Sequence, residues 1–259
     1  MGAGVVTLLR VEGLTKEFGG VHAIEAVDFT INPGTIHSII GPNGAGKTTL
    51  FNLITGIYVP TRGRVRFEER DIAGRPPAEL ARLGLCRTFQ NLQVCFNMTA
   101  LENVMVGHHL HLDRRLLPAL LRLPGVARAD RACRDTCREL MEFVGIGRWV
   151  GTDAASMPYG ALKRLEIARA LAGRPKLLLL DEPAAGLNAT ESREIDAVIQ
   201  KIAATGVTVV LVEHDMKMVM GISDHVLVLD GGRKLAEGTP DSVRANPQVV
   251  EAYLGAHGG

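Results

Sequence analysis

Aromatic residues make up only 4 % of this 259-residue chain, which argues against a surface built to stack the bases of single-stranded nucleic acid. No apolar run reaches the roughly 18 residues that a membrane-spanning helix needs. The start of the chain has no basic region followed by an apolar core, so no secretory signal is expected. Met1-Gly2 opens like a myristoylation site, but Val6 stands where Ser or Thr is required. These first residues read as the lead-in to a strand. Charge of one sign is also missing: the formal net charge is +1, which excludes a general polyanion-binding surface and leaves room only for a local one. Cysteine is limited to Cys86, Cys95, Cys133 and Cys137. Cys133 and Cys137 would share a helix face and can in principle hold a metal. Without a C-x-x-C pair, however, the four read as free thiols in a reducing compartment. His108, His109 and His111 have no acid or thiol at ligand spacing and read as a solvated loop end.

What is present begins at residue 41. Gly41-Pro42-Asn43-Gly44-Ala45-Gly46-Lys47-Thr48 is a complete G-x-x-x-x-G-K-[ST] phosphate loop. Its glycines allow positive-φ turns and bring backbone N–H groups close to phosphate oxygens. Lys47 can reach the β- and γ-phosphates, and the Thr48 hydroxyl can ligate Mg²⁺. The apolar Ile36–Ile40 before the loop predicts a buried strand, and Thr48 to Leu53, with Thr49 beside the loop, predicts the opening of a helix. Strand, loop and helix N-terminus are the context that makes this motif a binding site for a nucleoside triphosphate.

The length suits one large domain, or one domain with an inserted lobe. Val5–Thr15 and Val21–Ile31 alternate like strands separated by Gly19-Gly20, and Val65–Phe67 reads as a short strand before the turn-rich Gly74–Pro77. Residues 97–157 differ: they are rich in Leu and Arg, and helical spacing recurs in Arg128–Val144. Pro118, Pro124 and Gly125 are expected to cut that region into short helices. Strands are then predicted at Leu177–Leu180, Val207–Val212 and His225–Leu229, with a helix over Ala189–Ala204. Asp230-Gly231-Gly232-Arg233 reads as a hairpin turn into Lys234–Glu237. The expected fold is α/β: residues 1–96 and 158–259 form a mixed-sheet core with an N-terminal antiparallel β region, and 97–157 form an inserted helical lobe.

Three further residues fall where the chemistry needs them. Asp181 ends an apolar strand and can hold Mg²⁺ directly or through water. Glu182, next to it, can take a proton from an attacking water. His214 ends another strand and can bond both the γ-phosphate and Glu182. Gln90 lies at the entrance to the helical region, where its amide can touch Mg²⁺ or the attacking water; from spacing alone an ordinary surface glutamine is equally acceptable.

These residues carry a resemblance. Phe18, Gly41–Thr49, Gln90, Leu177–Pro183, Ala184–Asn188 and His214 together resemble the ATP-binding cassette of ABC transporters, over nearly the whole chain. The resemblance makes Phe18 the aromatic that stacks on adenine, Gln90 the lid-loop glutamine and His214 the switch histidine. It also makes Met157-Pro158-Tyr159-Gly160-Ala161 the signature segment that meets phosphate. Tyr159-Gly160, Arg164–Ala168, Asp181–Asn188, Val212–Met216 and the tail around Glu237–Pro240 and Glu251–Gly255 are similar to the ATP-binding subunits of bacterial branched-chain amino-acid importers. That subgroup implies an ATPase using ATP and Mg²⁺, with two cassettes meeting head to tail, the second being an identical chain or a close relative. It further implies two membrane permease subunits, a periplasmic solute-binding protein, and a peripheral place on the cytoplasmic face of the bacterial inner membrane, without nucleic acid. The chain departs from the family pattern at Pro158, where serine is usual, and at Ala161, where glutamine is usual. Proline removes a hydroxyl and an N–H, although at the first helical position it costs the helix little. Losing one donor to developing charge can raise a barrier by roughly 3 kcal/mol.

Two other functions compete. A soluble cassette acting on ribosomes or DNA would be expected to carry two phosphate loops or a long coiled-coil insertion and a basic surface, none of which is found. A non-catalytic, ATP-gated binding module is suggested by Pro158 and Ala161, and opposed by the presence of Glu182 and His214.

Overall fold

The computed structural model describes residues 7–109 and 124–255; His111 and the apolar Leu116–Leu121, expected to be docking surface or lobe core, lie outside them. Strand β1 (Leu9–Phe18) turns through Gly19-Gly20 into β2 (Val21–Ile31), and β3 (Ile36–Ile40) runs into the phosphate loop and α1 (Lys47–Ile54). Then come β4 (Arg62–Phe67), β5 (Arg70–Asp71), α2 (Pro77–Leu83), β6 (Leu85–Arg87), α3 (Ala100–His108), α4 (Pro124–Phe143) and α5 (Tyr159–Ala172). Strand and helix alternate from there: β7 (Leu177–Asp181), α6 (Ala189–Ala204), β8 (Thr208–Val212), α7 (Met216–Ile222), β9 (His225–Asp230), β10 (Arg233–Gly238), α8 (Pro240–Arg244) and α9 (Pro247–Gly255).

Two sheets result. The antiparallel one has the order β2-β1-β4-β5; the other, β10-β9-β3-β8-β7-β6, is parallel except for the β9–β10 hairpin. Helix α1 lies between them, with Leu50, Phe51, Leu53 and Ile54 all at most 1 % exposed. Four such side chains, at about 2 kcal/mol of transfer free energy each, hold the helix that follows the phosphate loop. Strand β7 explains its own Leu run: Leu177 and Leu179 pack toward α1, while Leu178 and Leu180 pack toward α5 and α6. A strand covered on both faces has no place for a polar alternation.

Several boundaries differ from expectation. Strand β1 runs on to Phe18, because pairing with β2 continues to Phe18↔Val21 beyond the point where its apolar alternation fades. Helix α4 starts at Pro124, where a missing N–H costs nothing, so this proline marks a helix boundary as expected, whereas Gly125 falls inside the helix and does not cut it. Cys133 and Cys137 do share its inner face, buried and unpaired, with the Cys137 thiol pushed up to about 12 by burial. Helix α2 and strands β5 and β6 escaped sequence reading, being too short to show a period. Gly231 and Gly232 both have positive φ, as the predicted hairpin turn requires.

On β3, just ahead of the phosphate loop, His37 is the register partner of His225 on β9, with their rings stacked 5.3 Å apart. Burial pulls His37 down to about 4, His225 adds to this, and Asp224 opposes it. The folded protein therefore keeps His37 neutral while the unfolded chain protonates it near 6.5. Stability from this site is full above pH 6.5 and falls as pH drops toward 4, by about 2–3 kcal/mol. Urea unfolding at pH 7 and pH 4.5 should show that loss, and His37→Asn should remove most of it; an equal loss in the variant would assign it elsewhere.

Candidate active site

The parallel sheet delivers the site. The C-terminal ends of β3, β8 and β7 are neighbours and carry Gly41, Glu213-His214 and Asp181-Glu182 respectively, the position where open α/β sheets bind ligands. Gly41 sits so close to β9 that a Cβ there would stand 2.2 Å from the Leu229 carbonyl oxygen. Gly46 is the N-cap of α1 in a left-handed conformation, φ 97°, and a Cβ would meet the Ala23 carbonyl at 2.6 Å. No side chain caps α1, so its first N–H groups remain available to an anion. The Lys47 ammonium donates to the carbonyls of Gly41 (2.7 Å) and Pro42 (2.9 Å). Burial pulls it below the ordinary lysine range, and the Glu182 carboxylate works against that.

A cavity of about 260 Å³ is lined by the loop from Asn43 to Thr49 together with Ala23, Gln90, Glu182 and His214. Asn43, Gly44, Ala45, Gly46, Lys47, Thr48 and Thr49 are thus gathered with the three polar side chains of Gln90, Glu182 and His214, brought in from the ends of other strands. Glu182 is the centre of this group. Gln90 Nε2 donates to its Oε2 at 2.8 Å, and His214 Nε2 lies 2.7 Å from its Oε1. Its backbone is left-handed, φ 48°, a conformation that costs a non-glycine residue about 1–3 kcal/mol. Its N–H is held by the Val212 carbonyl at 3.0 Å. Lys163 of α5, only 3 % exposed, donates to the carbonyls of Glu182 and Gln90 at 3.4 and 3.3 Å. Glu213 holds the turn that carries the histidine by accepting from the N–H groups of Ala184 and His214. Burial pushes its carboxyl above the usual range, more than those bonds lower it.

Other expected residues stand apart from this cavity. Asp181 is beneath it, 4 % exposed, with Oδ2 paired to Arg87 at 2.7 Å. Phe18 ends β1 as an exposed ring, edge-on to Tyr58 with centroids 5.3 Å apart and with the Lys16 ammonium 4.9 Å from its centroid. Tyr159 and Gly160 open α5 and do not line the cavity of their own phosphate loop. Pro158 proves to be the N-cap of α5 and not its first helical residue; φ −66° suits it there, and its carbonyl accepts from Ala161 and Leu162. Ala161 is 1 % exposed. Asn188 N-caps α6, accepting from Thr190 and Glu191. Ala23, Arg87, Lys163 and Glu213 were missed from sequence. All act through long-range contacts, and only the polar-after-apolar step at Glu213 left a trace.

A phosphate loop facing a glutamate that two other strands supply with a glutamine and a histidine defines a P-loop nucleoside triphosphatase. Residues 24–185 match the ABC transporter family, and residues 233–258 match the branched-chain amino acid ATP-binding cassette transporter family. The chain is 45 % identical, over 96 % of its length and 98 % of the relative's, to the high-affinity branched-chain amino acid transport ATP-binding protein BraF of Pseudomonas aeruginosa. It is 43 % identical, with the same coverage, to LivG of Escherichia coli K12, described in the same words. Two solved structures share its fold at 34 % identity. One is a nucleotide-free ATP-binding cassette from an ABC transporter (TM-score 0.83, 95 % of this chain and 98 % of that one). The other is the ADP conformation of MJ1267 (TM-score 0.84, 96 % and 99 %). The chain belongs to the ABC transporter family, as one of its ATP-binding, ATP-hydrolysing subunits. No described helix is long and apolar enough to cross a membrane.

Proposed function

We propose that this chain is the ATP-hydrolysing motor of a branched-chain amino-acid importer, with Glu182 as the proton acceptor. The observation that carries the mechanism is that both carboxylate oxygens of Glu182 are engaged at the wall of the phosphate cavity. Lys47 lies on the phosphate side of that cavity and balances the charge of the β- and γ-phosphates. Glu182 takes the proton of a water positioned against the γ-phosphate, which requires Gln90 or His214 to give up one of its oxygens when ATP arrives. His214 then turns its ring nitrogen to the γ-phosphate, so that the Glu182–His214 contact reports on occupancy. Phe18, exposed at the end of β1, supplies the face for adenine.

The donor set fits a divalent cation. Thr48, Gln90 and Asp181 offer only hard oxygen ligands, as Mg²⁺ prefers. Bound there, Mg²⁺ would neutralise phosphate charge; Thr48 would hold it directly and Asp181, set below the cavity, directly or through a water.

Tyr159 and Gly160 lie at the N-terminus of α5, away from their own loop, so we assign them to the ATP of a second cassette in a head-to-tail pair, identical or closely related. Residues 97–157 form the lobe that moves with it, against a core of 1–96 and 158–259. A groove of about 320 Å³ lies between α2–β6 and α3–α5, and the exposed side chains of Ile57, Phe89 and Val106 contribute to it. It opens one residue from Gln90 and suits a helix of one membrane permease subunit, the same groove of the second cassette taking a helix of the other permease. A periplasmic solute-binding protein and a place on the cytoplasmic face of the inner membrane follow from that assembly; nucleic acid has no role in it.

The test is solution mass by light scattering of the Glu182→Gln protein with and without MgATP. The expected result is a doubling from the 27.8 kDa of one chain on adding ATP. A monomer with ATP bound would overturn pairing with an identical chain and leave a different cassette as the partner.

A further inference from the structure

Arg87 ends β6, and its side chain, like that of Asp181, is only 6 % exposed. It makes three directed contacts. Nη2 donates to Asp181 Oδ2 at 2.7 Å, while Nη1 donates to Asn52 Oδ1 at 2.6 Å and Thr55 Oγ1 at 3.1 Å. The guanidinium also lies 5.4 Å from the ring centroid of Phe51 and 5.0 Å from that of Phe89. One planar cation thus touches the helix that follows the phosphate loop, the carboxylate at the end of β7 and the segment that leads to Gln90. Placing a guanidinium in such a site carries a desolvation cost, and packing alone would be served as well by an apolar side chain. What an arginine adds is direction: its rigid fork fixes a carboxylate in one orientation, which a lysine cannot do from a single point.

We propose that Arg87 is a positioning residue for a divalent cation: by holding Asp181 Oδ2 against the end of α1, it aims the other carboxylate oxygen toward the Thr48 side of the nucleotide cavity. The proposal rests on the reading of Asp181 as the carboxylate that serves the cation. Asn52 and Thr55 anchor the guanidinium to the same helix that carries Thr48. The distance between the two oxygen donors is therefore set through one rigid bridge. Groups that orient a metal ligand are commonly worth 10–100-fold in metal affinity.

The experiment is a Mn²⁺ titration followed by electron paramagnetic resonance on the full chain with saturating ADP, alongside ADP affinity measured in EDTA. Wild type, Asp181→Asn, Arg87→Met and Arg87→Lys are compared. Asp181→Asn should weaken Mn²⁺ binding at least tenfold. Arg87→Met should weaken it about tenfold and Arg87→Lys by less, with metal-free ADP affinity within twofold of wild type. Unchanged Mn²⁺ affinity in both Arg87 variants, with Asp181→Asn impaired, would overturn the proposal while leaving the role of Asp181 intact. An equal loss of metal-free ADP affinity would also overturn it, since Arg87 would then merely support α1. Unchanged Mn²⁺ affinity in Asp181→Asn would instead remove the reading on which it rests. If Arg87→Met does not fold, Arg87→Lys, which keeps the buried charge balanced, decides the matter alone.

Discussion

Replacing Glu182 by glutamine is expected to lower the rate of phosphate release by about 10²–10⁴-fold, while ATP affinity changes by no more than a few fold. The substitution keeps the shape of the side chain. Its amide oxygen can still accept from Gln90, and its NH₂ can still donate to a ring nitrogen of His214. The cavity wall therefore stays in place, including the left-handed turn at residue 182, whose geometry is held by backbone bonds to Val212 and by Lys163. What is lost is the acceptor for the water proton and the negative charge that supports the Lys47 ammonium. Stopped-flow phosphate release with MgATP, paired with equilibrium binding of ATP, separates the two effects. A variant that retains the wild-type rate would show that another group takes the proton. A variant that loses ATP affinity in proportion would show that Glu182 serves the cavity and not the chemistry.

Gly41→Ala is expected to abolish nucleotide binding, by more than 100-fold in affinity, and to destabilise the protein by several kcal/mol. Two observations drive this. The new Cβ would lie 2.2 Å from the Leu229 carbonyl oxygen and 3.0 Å from the Ala45 Cβ. The first obstacle is backbone of β9, which is hydrogen-bonded to β3 on one side and β10 on the other, so it cannot retreat. Relief must come from the loop itself, and moving Gly41 moves the carbonyl that holds Lys47. Gly44→Ala is the control. It has φ 82° but nothing within 4 Å of a Cβ, so only the conformational cost of about 1–2 kcal/mol applies. Isothermal titration with ATP on both variants, with thermal melts, makes the comparison. Equal behaviour of the two would mean that close approach to β9 is not what selects glycine at position 41.

How much of this was open to sequence reading depends on how far apart the cooperating atoms are along the chain. The phosphate loop was fully legible: its chemistry is contained in eight neighbouring residues, and the strand before it and helix after it announce themselves by the largely apolar Ile36–Ile40 and by the Thr48–Leu53 segment. Helix α6 was placed to the residue, and in the structure Asn188 and Glu191 form a capping box at its start. Short elements were not legible. Strand β6, three residues long, exists because the Lys176 and Leu177 N–H groups bond the Gly84 carbonyl and because β7 offers it an edge. Helix α4 defeated the reading for the opposite reason: it runs on through Gly125, which looks like a breaker but costs a helix only about 1 kcal/mol.

The sequence by itself determined that the chain carries a phosphate loop, that the loop joins a strand to a helix, and which acid follows which strand, because each of these is a property of contiguous residues. Only the tertiary structure decided how those pieces cooperate. Gln90 and Glu182 are separated by 92 residues, His214 and Glu182 by 32, and Arg87 and Asp181 by 94. These contacts depend on strand order and register. β8 lies between β3 and β7, with β6 beyond, and nothing in the local periodicity of any one strand specifies its neighbours. The same is true of what stays apart. Tyr159 and Gly160 carry the character of a phosphate-binding helix start, and it is the packing of α5 against α3, α4 and β7 that keeps them from their own loop.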